Sequence, residues 1–200
     1  LVEEQFSPKI LKDKKVLITA GGTREMIDPM RCLTNLSSGK MGIAMARACR
    51  NAGAQVTLIH AQITQTIPYG LHEVVYADSV QAMYQAVHQR VTEQDVFIAG
   101  AAVSDFRPKE VLSHKIKKRY DQDNEGLILE LERTPDILAS VAALDDEPFC
   151  VGFAAESEHV LEYAQQKKER KHIPLLIANQ ISESVGEDIS SVYISVSYTH

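Results

Sequence analysis

Short apolar runs alternate along this chain with longer stretches whose apolar residues recur at helical spacing, and this alternation restricts the fold more than any other feature. Val16 to Ala20 (VLITA), Ala54 to Ile59 (AQVTLI), Val96 to Ala99 (VFIA), Phe149 to Phe153 (FCVGF) and Leu175 to Ala178 (LLIA) read as buried strands. Between them, Met41, Ala44, Met45, Ala48, Cys49 and Ala52 predict a helix with Gly53 at its C-terminal cap. Val80, Met83, Tyr84, Val87 and Val91 predict a second after Asp78-Ser79, a good N-cap. Thr134-Pro135 opens a third helix running to about Leu144, and Glu158 to Lys171 is a fourth. Strands alternating with helices demand parallel pairing, so the expected class is α/β with a doubly wound, mostly parallel Rossmann-like sheet. One segment departs from it: Lys115 to Tyr120 and Leu127 to Glu132 flank DQDNEG and predict a projecting β-hairpin flap.

Composition narrows the class of function. With 21 basic against 27 acidic residues in 200, the net charge is -6, which argues against a general binder of nucleic acid. A chain of this size buries roughly 70% of its unfolded surface, enough for a core without disulfides or structural metal. No apolar run approaches the roughly 20 residues of a membrane span, and the first residues, LVEEQFSPKI, do not read as a secretory or transit leader. The cysteines, Cys32, Cys49 and Cys150, are three in number and at no metal-ligand spacing. These features predict a reducing, cytoplasmic setting, no membrane and no assigned metal ligand. Residues 1–13 read as a polar linker and 14–200 as one domain. The strand-like run ending near Val196 predicts a C-terminus trimmed from a longer protein.

Ligands of open α/β sheets bind beyond the carboxyl ends of the strands, and the candidate segments follow such ends. A Walker A loop is absent, since Gly39-Lys40 is followed by Met41 and Thr34 stands where the first glycine belongs. The dinucleotide fingerprint fails as well, because Gly21-Gly22-Thr23 lacks a third glycine at the required spacing. A long loop, Gly21 to Lys40, ends instead in SSGKMG, where Ser37, Ser38, Gly39 and Lys40 meet a helix N-terminus suited to phosphate. On local pattern alone it equally describes a serine-capped helix. Gly100 to Arg107 (GAAVSDFR) lets a ligand approach the backbone closely, with Asp105 positioned for a ribose, base or Mg²⁺, or simply for a turn. Two basic clusters, Lys115–Lys117–Lys118–Arg119 and Lys167–Lys168–Arg170–Lys171, suit a polyphosphate or a solvated face.

Taken together, ITAGGTREMIDPMRCLTNLSSGKMG (Ile18 to Gly42), AAVSDFRP (Ala101 to Pro108), HKIKK (His114 to Lys118), TPDIL (Thr134 to Leu138), VGFAAE (Val151 to Glu156) and KKERK (Lys167 to Lys171) resemble phosphopantothenate–cysteine ligase. They occur in that family's order and span nearly all of residues 14 to 180. The resemblance implies the ligase domain of a bifunctional coenzyme A biosynthesis protein, with an FMN-dependent decarboxylase fused ahead of it. It further implies a reaction of CTP, with Mg²⁺, 4'-phosphopantothenate and L-cysteine, through an acyl-cytidylate and usually in a homodimer. Carried over residue by residue, Asn35 corresponds to the asparagine that holds the acyl-cytidylate, and Lys115 to the lysine associated with the triphosphate and turnover. Gly21, Ser37, Ser38, Gly39, Lys40, Gly100, Ala101, Asp105, Pro135, Asp136, Ile137, Leu138, Phe153, Lys167 and Lys171 correspond to nucleotide contacts.

Other residues carry plainer expectations. Asp28-Pro29 shapes the long loop, and Arg24 or Arg31 either pairs with acids there or grips the pantothenate phosphate. Cys49 and Cys150 pack as small apolar side chains, and the seven histidines show no triad or metal spacing. Two competing functions share the fold. An NAD(P)-dependent oxidoreductase requires the missing glycine fingerprint and an acid after the second strand, where Ile59-His60 stands. A nucleotide-binding remnant without turnover keeps the fold but not the chemistry. A related question, CTP against ATP, favours CTP on the TREMIDP and KIKK segments.

Overall fold

A computed structural model describes residues 6–117, 127–156, 158–180 and 192–196. Its main sheet comprises β1 (Lys15–Ala20), β4 (Gln55–His60), β5 (Glu73–Tyr76), β6 (Val96–Ala99), β9 (Phe149–Glu156), β10 (Leu175–Gln180) and β11 (Val192–Val196). The spatial order is β11-β10-β9-β6-β1-β4-β5, with every neighbouring pair parallel except β10 and β11. Its six parallel strands follow the 3-2-1-4-5-6 order of doubly wound sheets. The direction of winding reverses between β1 and β6, the switch point whose carboxyl-end crevice holds ligands in sheets of this kind.

The helices are α1 (Lys40–Asn51), α2 (Val80–His88), α3 (Ile137–Ala142) and α4 (Val160–Lys171). Two apolar clusters sandwich the sheet. Leu17, Ile59, Phe97, Cys150 and Leu176 point to one face and pack with Val80, Met83, Val87 and Val141. Val16, Ile18, Leu58, Ile98 and Val151 point to the other and pack with Ile43, Ala46 and Cys49. Odd and even positions of a central strand thus serve opposite cores, which is why these strands read as unbroken apolar runs. Leu11 joins the second cluster, and its N–H donates to Ala52 O at 2.9 Å, so the residues just ahead of β1 lie against the end of α1.

Several predicted elements occupy different bounds. The buried face of α1 comprises Gly42, Ile43, Ala46 and Cys49, while Ala44 and Ala48 are exposed, so the helix is rotated from the stripe read in the sequence. Gly42 explains the rotation: a Cβ there would lie 2.5 Å from Ala20 Cβ and 3.1 Å from Thr19 O. The glycine, carrying no apolar side chain, marks the closest approach of helix and sheet. Helix α2 ends at His88, and Val91 falls in a single 3-10 turn, Val91–Glu93. Helix α3 is short and begins after Asp136, whose Oδ1 accepts from Ala139 N–H at 3.0 Å; Thr134 is not its cap. Strand β5 has no counterpart among the predicted elements, since four residues at a sheet edge with half-exposed Val74 and Tyr76 carry little apolar signal.

Two small antiparallel pairs stand beside the main sheet. Within the long loop after β1, β2 (Arg24–Asp28) pairs with β3 (Arg31–Thr34) across a tight turn. The projecting hairpin is built from β7 (Phe106–Pro108) and β8 (Leu131–Arg133), so its outgoing arm is not Lys115 to Tyr120. Residues 115–117 are irregular because the Ile116 N–H is taken by the Asp28 carboxylate instead of a strand partner. Residues 118–126 of the predicted flap lie outside the described residues.

Adding one methyl group at the α1–β1 contact should be costly. Gly42→Ala should destabilise the fold by about 1–3 kcal/mol through overpacking, reversing the roughly 1 kcal/mol gain that the exchange brings in an unconstrained helix. Equilibrium urea unfolding measures the sign; a stabilised variant would overturn the packing argument.

Candidate functional site

The crevice at the switch point is built by backbone that only glycine permits. Strand β1 is followed by Gly21, at φ +84°, where a Cβ would collide with Gln62 O. At Gly100, after β6, a Cβ would lie 2.9 Å from Thr19 O and 3.5 Å from Gly42 Cα. Side chains at these positions would force apart the ends of β1, β6 and α1. The loops are then stitched together: Ala102 N–H donates to Gly21 O at 2.8 Å, Thr23 N–H to Ala102 O at 3.2 Å, and Ser104 N–H to Thr23 Oγ1 at 3.0 Å.

Helix α1 opens at this crevice. Its cap is Gly39 in the left-handed conformation, φ +73°, which supplies no side-chain acceptor to the helix end. Ser37 Oγ and Ser38 Oγ accept from Gly39 N–H and Lys40 N–H only at a long 3.4 Å. An amino end with such weak local acceptors favours an anion through its N–H groups and dipole. Asn35 lies beside it. Its Nδ2 donates to Ala102 O and Val103 O, both at 3.2 Å, which fastens the loop after β3 to the loop after β6.

Asp105, exposed, continues that second loop, and Asp105 O accepts from Thr134 N–H at 3.1 Å. Thr134 Oγ1 also donates to Ser104 O at 2.5 Å, bringing Pro135 and Asp136 to the same rim. Asp136 serves two elements, since it caps α3 and forms an ion pair with Lys171 Nζ at 2.8 Å. Burial raises the Asp136 carboxyl pKa, but Lys171 and the Ala139 N–H outweigh it, so the group lies below the usual carboxylate value. Lys167, one helical turn before Lys171, has its pKa lowered by burial and by Lys171, against the attraction of Glu156 and Asp105. Phe153 on β9 is half-buried against the core, and Ile137 and Leu138 are buried in it.

The structure therefore gathers Gly21, Asn35, Ser37 to Lys40, Gly100, Ala101, Asp105, Pro135, Asp136, Lys167 and Lys171 around one strand-end crevice. Lys115 is exposed and makes no contact with these residues among the described ones; its neighbour Ile116 docks on the β2–β3 turn, at the far end of that hairpin from Asn35. Of the two arginines left open by sequence, Arg31 pairs with Asp28, Nη1 to Oδ2 at 2.8 Å.

Sequence reasoning passes over Glu25. It is 5% exposed on β2, and its Oε1 accepts from Val80 N–H at 2.8 Å, capping α2 from across the fold. Burial raises its pKa despite that bond and the nearby Arg107. The one signal for it is TREMID itself, in which Glu25 alternates with Ile27 on one strand face. Cys49 and Cys150 are buried as expected, and burial with Glu147 pushes the Cys150 thiol up to about 12. Among the described residues no group of three His, Cys, Asp or Glu side chains could hold a metal ion. No helix among them is long and apolar enough to cross a membrane. A polar cavity of about 140 Å³ also opens at the opposite, amino ends of β1, β4 and β5, lined by Lys15, Gln55, Glu73 and Arg90. Its charges are already matched, Arg90 by Glu73 at 2.8 Å, so it does not compete as the ligand site.

Fold and crevice define the class, a doubly wound α/β domain whose switch-point loops carry exposed backbone amides and nearby lysines. The particular family follows from comparison: residues 11–198 match the DNA/pantothenate metabolism flavoprotein C-terminal domain, and the chain belongs to that family. It is 46% identical over 183 residues to the coenzyme A biosynthesis bifunctional protein CoaBC of Vibrio vulnificus (strain YJ016), covering 91% of this chain and 45% of that protein. With the Bacillus subtilis (strain 168) protein of the same name it shares 44% over 195 residues, covering 96% and 47%. The chain thus spans about half the length of these relatives. A solved structure of the C-terminal domain of CoaBC superposes with a TM-score of 0.77 at 38% identity, covering 95% of this chain and 84% of that one.

The double use of Asp136 gives a pH-dependent expectation. Asp136→Ala should cost about 1 kcal/mol at neutral pH through loss of the cap. Because the folded-state pKa is depressed below 3.8, the charge-dependent part of this stabilisation is present above that value. It is lost as the pH falls through the lower, folded-state pKa. Urea midpoints of both proteins should therefore converge between pH 7 and pH 3; a constant gap would exclude the ion pair as a contributor.

Proposed function

We propose that this chain is a phosphopantothenate–cysteine ligase domain that joins 4'-phosphopantothenate to L-cysteine at the expense of CTP. The observation that carries the reading is Asn35 fastened to the Ala102–Val103 backbone beside the open amino end of α1. This sets one amide donor between two loops that each follow a β-strand of the switch point.

In the first step a carboxylate oxygen of phosphopantothenate attacks the α-phosphorus of CTP. A P–O bond forms, the α–β bridge breaks, and pyrophosphate leaves. The amine of cysteine then attacks the acyl carbon; the C–N bond forms, the C–O bond to CMP breaks, and the amine gives up a proton. Asn35 exchanges one of its backbone carbonyl partners for the acyl oxygen, donating where negative charge develops without adding a competing charge. Gly21, Ser37 to Lys40, Gly100 and Ala101 give close backbone approach and amide donors to the nucleotide. Asp105 reads cytosine or ribose, the Pro135 to Leu138 segment meets the nucleotide through its backbone N–H groups while Ile137 and Leu138 keep their side chains in the core, and Phe153 lies against the nucleotide. Lys115 and Lys167 meet the triphosphate. Lys171, already paired with Asp136, lends charge and holds the α3 end in place. Mg²⁺ enters with CTP as part of the substrate and neutralises the triphosphate. No protein nucleophile is needed, so catalysis is positioning and electrostatics.

Three features of the assembly belong to the same reading. An FMN-dependent decarboxylase is fused ahead of this domain, the protein is cytoplasmic, and the polar leader of residues 1–13 runs between the two. The ligase acts as a homodimer through its two small antiparallel pairs. Met26, Leu36, Phe106 and Leu131 on or beside them are exposed, Leu36 by 91%, and apolar surface concentrated there suits a second copy.

Pyrophosphate release in the presence of Mg²⁺, 4'-phosphopantothenate and either CTP or ATP, with and without cysteine, tests the reading. Release should require phosphopantothenate, prefer CTP and turn over only with cysteine. Asn35→Ala should lower amide formation by about 10²–10³-fold, the usual cost of one such donor. Lys167→Ala should instead raise the KM for CTP. No release with either nucleotide, from folded protein at the full length of its relatives, would overturn the ligase reading and favour a binding remnant.

A further inference from the structure

We infer that Asp28 is a positioning residue for Lys115, coupling the β2–β3 hairpin that leads to Asn35 with the segment that carries the lysine. The inference rests on the role given to Lys115 above. Asp28 is fully buried, and its two oxygens divide their work. Oδ1 accepts from Met30 N–H at 2.7 Å and Arg31 N–H at 2.9 Å, which fixes the turn between β2 and β3. Oδ2 accepts from Arg31 Nη1 at 2.8 Å and from Ile116 N–H at 3.1 Å, a residue 88 positions away. The Arg31 guanidinium also reaches Ile116 O at 3.4 Å, so both backbone polar groups of Ile116 face this pair. Leu112 N–H donates to Ile27 O at 3.0 Å, giving the same segment a second tether on the same hairpin.

Lys115 precedes Ile116 and is itself exposed. Its ammonium can sweep widely on a flexible stem, but the origin of that sweep is set by the Ile116 backbone. The hairpin that holds Ile116 continues through β3 to Asn35, one residue past Thr34. Asp28 thus fixes the distance between the proposed acyl-holding amide and the proposed triphosphate-binding lysine. The backbone of the turn takes one oxygen; the second is shared between Arg31 and the lysine segment.

Asp28→Asn separates the two duties. The amide oxygen still serves the turn, whereas the NH₂ replaces an acceptor by a donor opposite Ile116 N–H and Arg31 Nη1. Expected results are at least tenfold faster hydrogen–deuterium exchange at the Ile116 amide and about a tenfold loss in kcat/KM for CTP. On a Lys115→Ala background the same change should cost less than about twofold, since coupled residues are not additive. Unchanged Ile116 exchange overturns the inference, and so do losses that multiply in the double variant while Lys115→Ala alone is impaired. If Lys115→Ala turns over like the unaltered protein, the assignment of Lys115 fails and takes this inference with it. Should Asp28→Asn fold poorly, Ile116→Pro removes the donor from the lysine segment while leaving the Asp28 turn intact, and is judged by the same double-variant criterion.

Discussion

The close approach of three backbone segments at the carboxyl end of β1 is the constraint on which the rest of this structure depends. Thr19 O lies within van der Waals reach of Cβ positions that Gly42 and Gly100 do not fill, and Gly21 turns away in a conformation side chains rarely adopt. With any larger residue there, α1 would stand off the sheet and its amino end would leave the crevice. The absent side chains therefore have two consequences at once. They seat a helix terminus over the switch point, and they let the loops after β1 and β6 exchange backbone hydrogen bonds. Backbone amides rather than bulky side chains therefore face this place, an arrangement suited to phosphate.

Around that centre the long loop after β1 gains rigidity from two buried carboxylates with opposite electrostatics. Glu25 accepts from Val80 N–H, but burial dominates, so its pKa rises. Asp28 is also buried, yet three backbone N–H groups and a guanidinium offset that cost, so its pKa falls. The donors gathered around each group decide the sign, not the depth of burial. Both carboxylates reach outside their own hairpin, Glu25 to α2 and Asp28 to Ile116. A loop that could have been a mobile connection between β1 and α1 is instead clamped at two points.

Much of this architecture is legible in the sequence, and the illegible parts have physical reasons. Central strands buried on both faces announce themselves as VLITA, VFIA or LLIA because each position faces a core. Strand β5 faces solvent along its edge and reads as four ordinary residues. The return arm of the hairpin, Leu131–Arg133, overlaps the predicted Leu127 to Glu132, but the outgoing arm at Phe106–Pro108 escapes a sequence reading because it is three residues long and partly exposed, whereas the basic HKIKK run reads as an extended strand. Gly42 shows the converse error: a stripe drawn through apolar residues skips a glycine that is the point of contact. The crevice residues follow from family resemblance, and spacing alone offers only a serine-rich helix entry and two charge clusters. Glu25 shows only its alternation with Ile27, and the local turn of Asp28 is legible while its reach to Ile116 is not, since the distant partners of the two acids lie 55 and 88 residues away.

The two lysines of α4 show how a basic run divides its labour once folded. Lys167 and Lys171 lie one turn apart on the same face, yet Lys171 is neutralised by Asp136 at 2.8 Å while no ion pair holds Lys167 among the described residues. Asp136 in turn caps α3, so the Lys171 pair belongs to the wall of the crevice. Lys167 faces Glu156 and Asp105 only through space, and burial together with Lys171 works against its charge. An incoming polyanion relieves that cost more than a distant carboxylate does, because it brings several negative charges into the same desolvated volume. The Asp136 pair thus offsets part of the repulsion between these neighbouring lysines, which is why the two ends of one basic run carry different electrostatic loads.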